Sequence, residues 1–480
     1  MQMITKYEER VKGLISNNPD INKRIIKGCS GEVCVLFIKQ LTDREKLSNH
    51  IIQPIMHYIT RKNNLMINPT IAMNSIILAE NCLIEEEEGR LLENLLEGMT
   101  LILFSDTNTY IVVEIKLVAS KSIAGPELTF TLKGARDTFI ENLDTNLSLI
   151  RYRIKDPNLK ICYHKVGRRT KTRVAIVYID DLVNDAVVTE VEKRMNQIDI
   201  DGISASGDLE VMLSNDKLNF FPQSGIIERS DVACGALLEG KVLIIVEGSG
   251  IVLVVPKVFC EFLWSSEDNY DNPYFGLFSK VLRLLSIFFS ISLSALFIII
   301  TSFSYDLLPA EYIITLSVSR ANVPFNSLTG VLLLEGIVEL LREALLRIPK
   351  QIGPAVGIVG AIIIGQAAIS SGIFSPLLLM LVSLSFLASF VAPDFTIMNP
   401  LRLMKFFLIL LSGTLGIFGF SFGLCFLMTM LISTNSFGIP YMAPFAPYNK
   451  RDVKKIFLYN KATTKQRPHF LRTNNQRRAK

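Results

Sequence analysis

Four histidines, at positions 50, 57, 164 and 469, are spread through 480 residues with no ligand spacing, so no local pattern holds a metal or relays a proton. The seven cysteines (29, 34, 82, 162, 234, 260 and 425) include no Cys-x-x-Cys pair, which excludes a zinc motif and a disulfide framework. They read as reduced, mostly buried small residues. No GxxxxGK[ST], no GxGxxG behind a strand and no HExxH occurs, so nucleotide-cradling loops and zincin helices are absent from the sequence. The expectation is a protein that is not an enzyme and uses no cofactor or metal. The opening MQMITKYEER is charged and lacks the apolar centre of a signal peptide, which predicts that the first half stays in the cytoplasm.

Charge is also missing from long stretches late in the chain. Hydrophobic residues make up 49% of the sequence, and the charged ones crowd before Arg283 and after Lys450. Such partitioning predicts an aqueous half and a lipid-facing half. Between Lys450 and Lys480 stand eleven Lys or Arg against Asp452 alone, a local balance of +10 within a chain of net +5. Directly after an apolar stretch, this tail reads as a cytoplasmic flank beside anionic lipid rather than a nucleic-acid arm.

Leu284 to Tyr305 carries no charge over 22 residues, enough at 1.5 Å per residue to cover about 30 Å of hydrocarbon. The uncharged run from Gln351 to Pro393 is too long for one helix and is broken by Gly372 and Pro376, predicting a hairpin of helices at 354–371 and 376–392. Phe406 to Ser433 supplies a fourth span. An even number places both termini on one side, and the basic flanks make that side cytoplasmic. In 331–348, Glu335, Glu339, Arg342 and Glu343 form one polar stripe at helical spacing. That helix either lies in the membrane interface, the preferred placement, or is buried against other helices with its stripe toward water.

Before Arg283 the sequence repeats itself. Residues 32–43 (EVCVLFIKQLTD) parallel 173–184 (RVAIVYIDDLVN) at an offset of 141, and 95–114 parallel 237–256 at 142, sharing LLEG and two apolar runs. Each copy reads as a buried strand and a helix, the opening of a βα unit, followed later by a β-hairpin around Ser105 to Thr109 or Glu247 to Gly250. The expected fold is therefore multi-domain: an N-terminal segment (1–24), two duplicated α/β subdomains (25–155 and 160–262), a helical transmembrane domain (284–433) and a basic tail (450–480). Asp43, Asp180, Asp181 and Asp185 at the strand ends read as solvated carboxylates rather than metal ligands.

In Gly353 to Gly372, GPAVGIVGAIIIGQAAISSG, the small residues Gly357, Gly360, Ala361, Gly365 and Ala368 permit close helix packing. Another face aligns Val359, Ile362, Ile363, Gln366 and Ser370, an apolar ring with polar residues at one end, the form of a dewetting gate in an oligomeric pore.

The chain carries GARDTFIENLDTNLSLIRYR (134–153), FPQSGIIERSD (221–231), LLEGKVLIIVEGSGIVLVVP (237–256), EDNY (267–270), LREALLRIPKQIGPAVGIVGAIIIGQAAISSGIFSP (341–376) and FGIPYMAPFAP (437–447). In this order, along almost its whole length, it resembles the A subunit of GerA-type nutrient receptors of bacterial spores. It departs from the family pattern at Ser230 (commonly Pro), at Glu247 (Asp) and at Gly134-Ala135-Arg136 (Gly-Pro-Arg). The resemblance implies a receptor in the inner spore membrane with a transporter-like B subunit that binds nutrient and a lipoprotein C subunit. It also implies that the A subunit forms a ring, of five copies in expectation, conducting monovalent cations. The alternatives are a stage V sporulation AF-type paralogue and a membrane-anchored scaffold without conductance.

Overall fold

The computed structural model describes residues 20–28, 31–61, 67–87, 89–105, 107–116, 133–214, 219–270, 272–321, 323–348, 365–367, 369–458 and 464–478. The chain folds as two compact units, the first made of Met1–Asn215, Ser224–Pro256 and Lys465–Lys480, the second of Asp216–Gln223 and Lys257–Thr464.

In the first unit, β1 (Ile21–Gly28) and β2 (Gly31–Ile38) lead into a helical run, α1 (44–61), which includes a π-helical turn at Leu47–Ile52. Asp43 starts it: its Oδ1 accepts from the Glu45 and Lys46 amides at 3.1 Å, satisfying two amides that a helix start leaves orphaned. Next come α2 (69–76), β3 (Cys82–Glu85), α3 (Arg90–Leu96), β4 (Thr100–Phe104) and β5 (Tyr110–Val113). The strands form one antiparallel sheet in the order β1-β2-β4-β5-β3. Its two faces are separately covered. Cys34, Leu36, Leu101 and Leu103 pack with Leu91 and Leu95 of α3, while Val33, Val35, Ile102 and Phe104 pack with Ile51 and Ile55 of α1. A strand buried on both faces needs a continuous apolar run rather than alternation, which is why TLILF and its counterpart VLIIV are uninterrupted.

The second copy begins with α4 (Leu143–Arg153), then β6 (Leu159–Val166), β7 (Thr172–Ile179), α5 (Asp185–Gln197), α6 (Ser206–Leu213), β8 (Gly225–Ile227), α7 (Ser230–Leu238), β9 (Val242–Val246) and β10 (Val252–Val255). Its order, β6-β7-β9-β10-β8, reproduces the first sheet strand for strand, so the repeat in sequence is a repeat of topology. The two hairpins anticipated from the LLEG segments are β4–β5 and β9–β10. A βα opening is compatible with a parallel crossover, yet every strand pair described is antiparallel.

The sequence boundary at 155 shifts. Helix α4, assigned by sequence to the first subdomain, buries Leu143, Leu147 and Ile150 in the core of the second. Its Arg151 reaches back instead, donating from Nε (2.9 Å) and Nη2 (2.6 Å) to Asp20 just before β1, with both side chains almost fully buried.

The second unit contains α8 (Pro273–Ser302), α9 (Ala310–Arg320), α10 (Ser327–Arg347), helical residues 365–367 and 369–370, α11 (Pro376–Ser389), α12 (Met398–Ser433), the short pair β11 (Asn435–Ser436) and β12 (Ile439–Pro440), and α13 (Lys450–Leu458). Asn272, Asn326 and Ser375 cap α8, α10 and α11 through their side-chain oxygens. Two stretches, Pro273–Ser302 and Phe395–Ser433, are by length and composition long and apolar enough to cross a membrane, the second being bent at Gly416, and Pro376–Ser389 is a shorter apolar helix. Most of the helix expected at 354–371 lies outside the described residues.

The stretch expected as a single span at 406–433 is instead doubled back on itself. Gly416 leaves the helical region at φ 60°, ψ −136°. Beyond it the Phe426 ring stands 5.3 Å from Phe407, and a Cβ on Gly423 would meet Leu408 at 2.5 Å. Fifteen residues of straight helix would hold positions 408 and 423 about 22 Å apart. Only a reversal at Gly416 brings them together, and a residue with φ near +60° there is strained unless it is glycine.

The basic tail is likewise not one flank. Residues 450–458 form α13 in the second unit, whereas 465–478 pack in the first. There Arg467 Nε donates to the Leu238 carbonyl at the end of α7 (2.7 Å), Arg478 pairs with Glu239 (3.1 Å), and the Asn474 amide donates to Leu182 O (3.1 Å). Basic side chains satisfy carbonyls that a helix C-terminus leaves without partners.

Candidate functional site

The polar stripe of α10 is the strongest chemical feature of the second unit, and it faces other helices. Glu335 is 4% exposed. Its Oε1 accepts from Lys405 Nζ on α12 and from Ser294 Oγ on α8, each at 2.5 Å. Lys405 also donates to Ser385 Oγ on α11 (2.6 Å), and Ser385 in turn donates to the Ser290 carbonyl on α8 (3.1 Å). One turn along α10, Glu339 pairs with Arg402 of α12. Arg342 donates from Nη2 to Ser389 Oγ (3.0 Å), and its guanidinium lies 5.0 and 5.3 Å from the Phe386 and Phe390 ring centroids. Glu343 pairs with Arg347 on the exposed side of the same helix.

A stripe turned to water, which both expected placements require, is not what Glu335 shows: it is buried between helices, while Glu339 is half-buried, and each is paired with a cation. Spacing explains the match. Acids at i and i+4 on α10 meet cations at i and i+3 on α12, so each pair closes at a similar depth. An isolated charge in such a setting is too costly to remain, and pairing with hydrogen bonds is what makes burial tolerable. Lys405 and Arg402 escaped the sequence reading because the apolar span was begun at Phe406. The signal lay in two cations just before it, against a 331–348 segment whose three acids outnumber its two arginines.

Of the gate candidates, Gln366 and Ser370 lie on exposed helical positions, where with Ala367 and Ile369 they line an open depression. A Cβ on Gly365 would stand 3.9 Å from Leu379. Val359, Ile362 and Ile363, and the packing candidates Gly357, Gly360, Ala361 and Ala368, fall outside the described residues. Among the strand-end carboxylates, Asp43 is a helix cap, Asp180 pairs with Lys160 at 2.8 Å, and Asp185 accepts from Asn474.

A second assembly in this unit gathers segments far apart in sequence. Tyr441, fully buried, has its ring 6.2 to 6.4 Å from those of Phe221, Phe259 and Phe262. Ser436 Oγ donates to Gln223 O (2.6 Å) and accepts from the Lys257 amide (3.0 Å), and the Phe259 amide donates to Tyr441 O (2.8 Å). Lys257, whose ammonium lies 4.2 Å from the Phe262 centroid, pairs with Asp394 in the α11–α12 connection. Burial raises the Asp394 carboxyl, but the Lys257 ammonium and the Thr396 hydroxyl outweigh it and hold it below the usual carboxylate range. The FPQSG and FGIPYMAP motifs thus meet around one ring.

A family profile described as Bacillus/Clostridium GerA spore germination protein matches residues 9–470. The chain belongs to this family. Similar relatives of this GerA-family chain include spore germination protein KA of Bacillus subtilis (strain 168), 33% identical over 422 residues that cover 88% of this chain and 77% of the relative. The membrane protein YfkQ of the same organism is 31% identical over 478 residues, covering 95% and 92%. GerLA of Bacillus cereus is 29% identical over 464 residues, covering 95% and 93%. Among solved structures, the N-terminal domain of the A subunit of the Bacillus megaterium spore germinant receptor GerK3 aligns with TM-score 0.41 and 28% identity, over 52% of this chain and 93% of that one.

Proposed function

We propose that this GerA-family chain is the A subunit of a spore nutrient germinant receptor and works as an oligomeric, ligand-gated channel for monovalent cations. The observation that carries the step beyond family membership is the buried Glu335–Lys405 pair with its serine ligands. Intramembrane ionisable residues are expensive and mark functional elements. Here they tie α8, α10, α11 and α12 together, and residues 353–372 follow α10 directly. A bundle fixed in this way holds the start of the gate helix, so that Val359, Ile362 and Ile363 close an apolar ring with Gln366 and Ser370 at its end. Gly357, Gly360, Ala361, Gly365 and Ala368 let neighbouring copies approach.

The partners in this reading are a transporter-like B subunit that binds germinant and a lipoprotein C subunit, in a ring of five A chains. The site of action is the inner spore membrane, crossed several times with both termini cytoplasmic. Germinant opens the ring only by binding the open state better than the closed one. The test is cation flux in liposomes holding the full chain with and without its partners. Val359→Ala or Ile362→Asn is expected to change the flux, and unchanged flux in a well-inserted variant overturns the gate. The long match to YfkQ, a relative named only as a membrane protein, favours keeping the accessory paralogue as a second reading beside a scaffold, and for the scaffold no partner combination gives conductance.

A further inference from the structure

The charges that meet between α10, α11 and α12 do not cancel. Glu335 is taken by Lys405 and Glu339 by Arg402, while Glu343 is engaged by Arg347. Arg342 forms no salt bridge with a carboxylate among the described residues, and the cluster of Glu335, Glu339, Arg342, Arg402 and Lys405 carries one net positive charge. A guanidinium has five donors. Among the described residues this one donates to the Ser389 hydroxyl, and its Nε is buried without a partner, as is that of Arg402. Two orphaned donors beside one unmatched charge call for a group that is anionic and offers only acceptors. A phosphodiester has that chemistry.

The position narrows the source. Arg342 lies near the end of α10 and beside the end of α11, and Arg402 lies in the first turns of α12, so three helices end or begin at this level. At the end of α11 and the start of α12, Leu387, Phe390, Val391 and Leu403 are exposed, with Leu387 at 63% and Leu403 at 52%. A cationic cluster next to exposed apolar side chains fits a molecule with an anionic head and acyl tails.

We propose that Arg342, with the flanking Arg402, binds the phosphodiester headgroup of an anionic membrane lipid whose tails lie against Leu387, Phe390 and Leu403. The site rests on the membrane placement proposed above but not on conduction. A chain that passes no current still tests it.

The test is native mass spectrometry of the full-length protein in detergent, titrated with phosphatidylglycerol or phosphatidylcholine. The wild-type chain is expected to retain phosphatidylglycerol preferentially. Arg342→Gln is expected to lose that retention about tenfold, the value of one charge-assisted hydrogen-bonded contact, and Arg342→Lys to fall between the two. Arg347→Gln, on the same helix but already paired with Glu343, is expected to match the wild type. Equal retention in Arg342→Gln and wild type overturns the site, as does equal loss in Arg347→Gln. Displacement of the lipid by millimolar inorganic phosphate makes it a free-phosphate site and also overturns the proposal. So does loss of the oligomer in Arg342→Gln, which makes a second copy the partner. If Arg342→Gln does not insert, Leu387→Asp reads the tail contact and is expected to lower retention without touching the guanidinium.

Discussion

Replacing Lys405 with Met tests the buried pair directly. At 2.5 Å the Lys405–Glu335 contact has a gross Coulomb attraction of roughly 7 kcal/mol at an effective dielectric of 20, most of it offset by the desolvation of both ions. Removing one partner forfeits the attraction but not the desolvation. Glu335 would keep only the Ser294 hydroxyl, and the loss expected is about 3–5 kcal/mol. For a helical unit of this size that corresponds to roughly 6–20 °C in the unfolding midpoint. The assay is thermal unfolding of the detergent-solubilised chain, followed by loss of the monodisperse peak in size-exclusion chromatography. Glu335→Leu should fall by a similar amount. The double variant Glu335→Leu, Lys405→Met replaces the pair with apolar side chains and should recover to within about 2 kcal/mol of wild type. If the single variants shift by less than 2 °C, or the double variant loses the sum of both, the two residues are not a buried pair and the account of α10 fails.

In the first unit, Arg151→Met is expected to destabilise by about 3–5 kcal/mol in pulse proteolysis across a urea series, because Asp20 is buried and loses both of its guanidinium bonds; a change below 1 kcal/mol would refute the link. Gly416→Ala should lower the thermal midpoint, since the left-handed backbone costs about 1–2 kcal/mol and the new Cβ meets Phe303 at 3.0 Å; an unchanged midpoint would mean that the helix does not reverse there. Gly240→Ala, at φ +87° with Thr473 2.5 Å from the added Cβ, should release residues 465–478 to protease while the rest of the unit stays resistant. Burial raises the Asp137 carboxyl, but hydrogen bonds from Arg153 and Ser230 outweigh it and leave its pKa lowered on folding. Its contribution is therefore full above the unfolded carboxylate value and fades as pH falls through the lower folded one. Arg153→Gln should remove that acid sensitivity below about pH 4, measured as stability against pH.

The sequence by itself determined the elements whose signal is local. The repeat at 141 and 142 residues specified two equivalent sheets, because β4 and β9 are buried on both faces and must be apolar throughout. The SSGIFSP break was legible because Ser375 caps the helix that Pro376 begins, and the φ of Gly372 is positive. Tertiary structure decided where α4 packs, since its apolar face would suit either sheet and only the Asp20–Arg151 link shows how it serves both. It also decided the reversal at Gly416, which periodicity does not register because the residues on both sides are equally apolar. The stripe of α10 was visible as Glu335, Glu339 and Arg342, but its direction was not. A polar stripe satisfies water and a row of cations alike, and the row that answers it stands on another helix some seventy residues away.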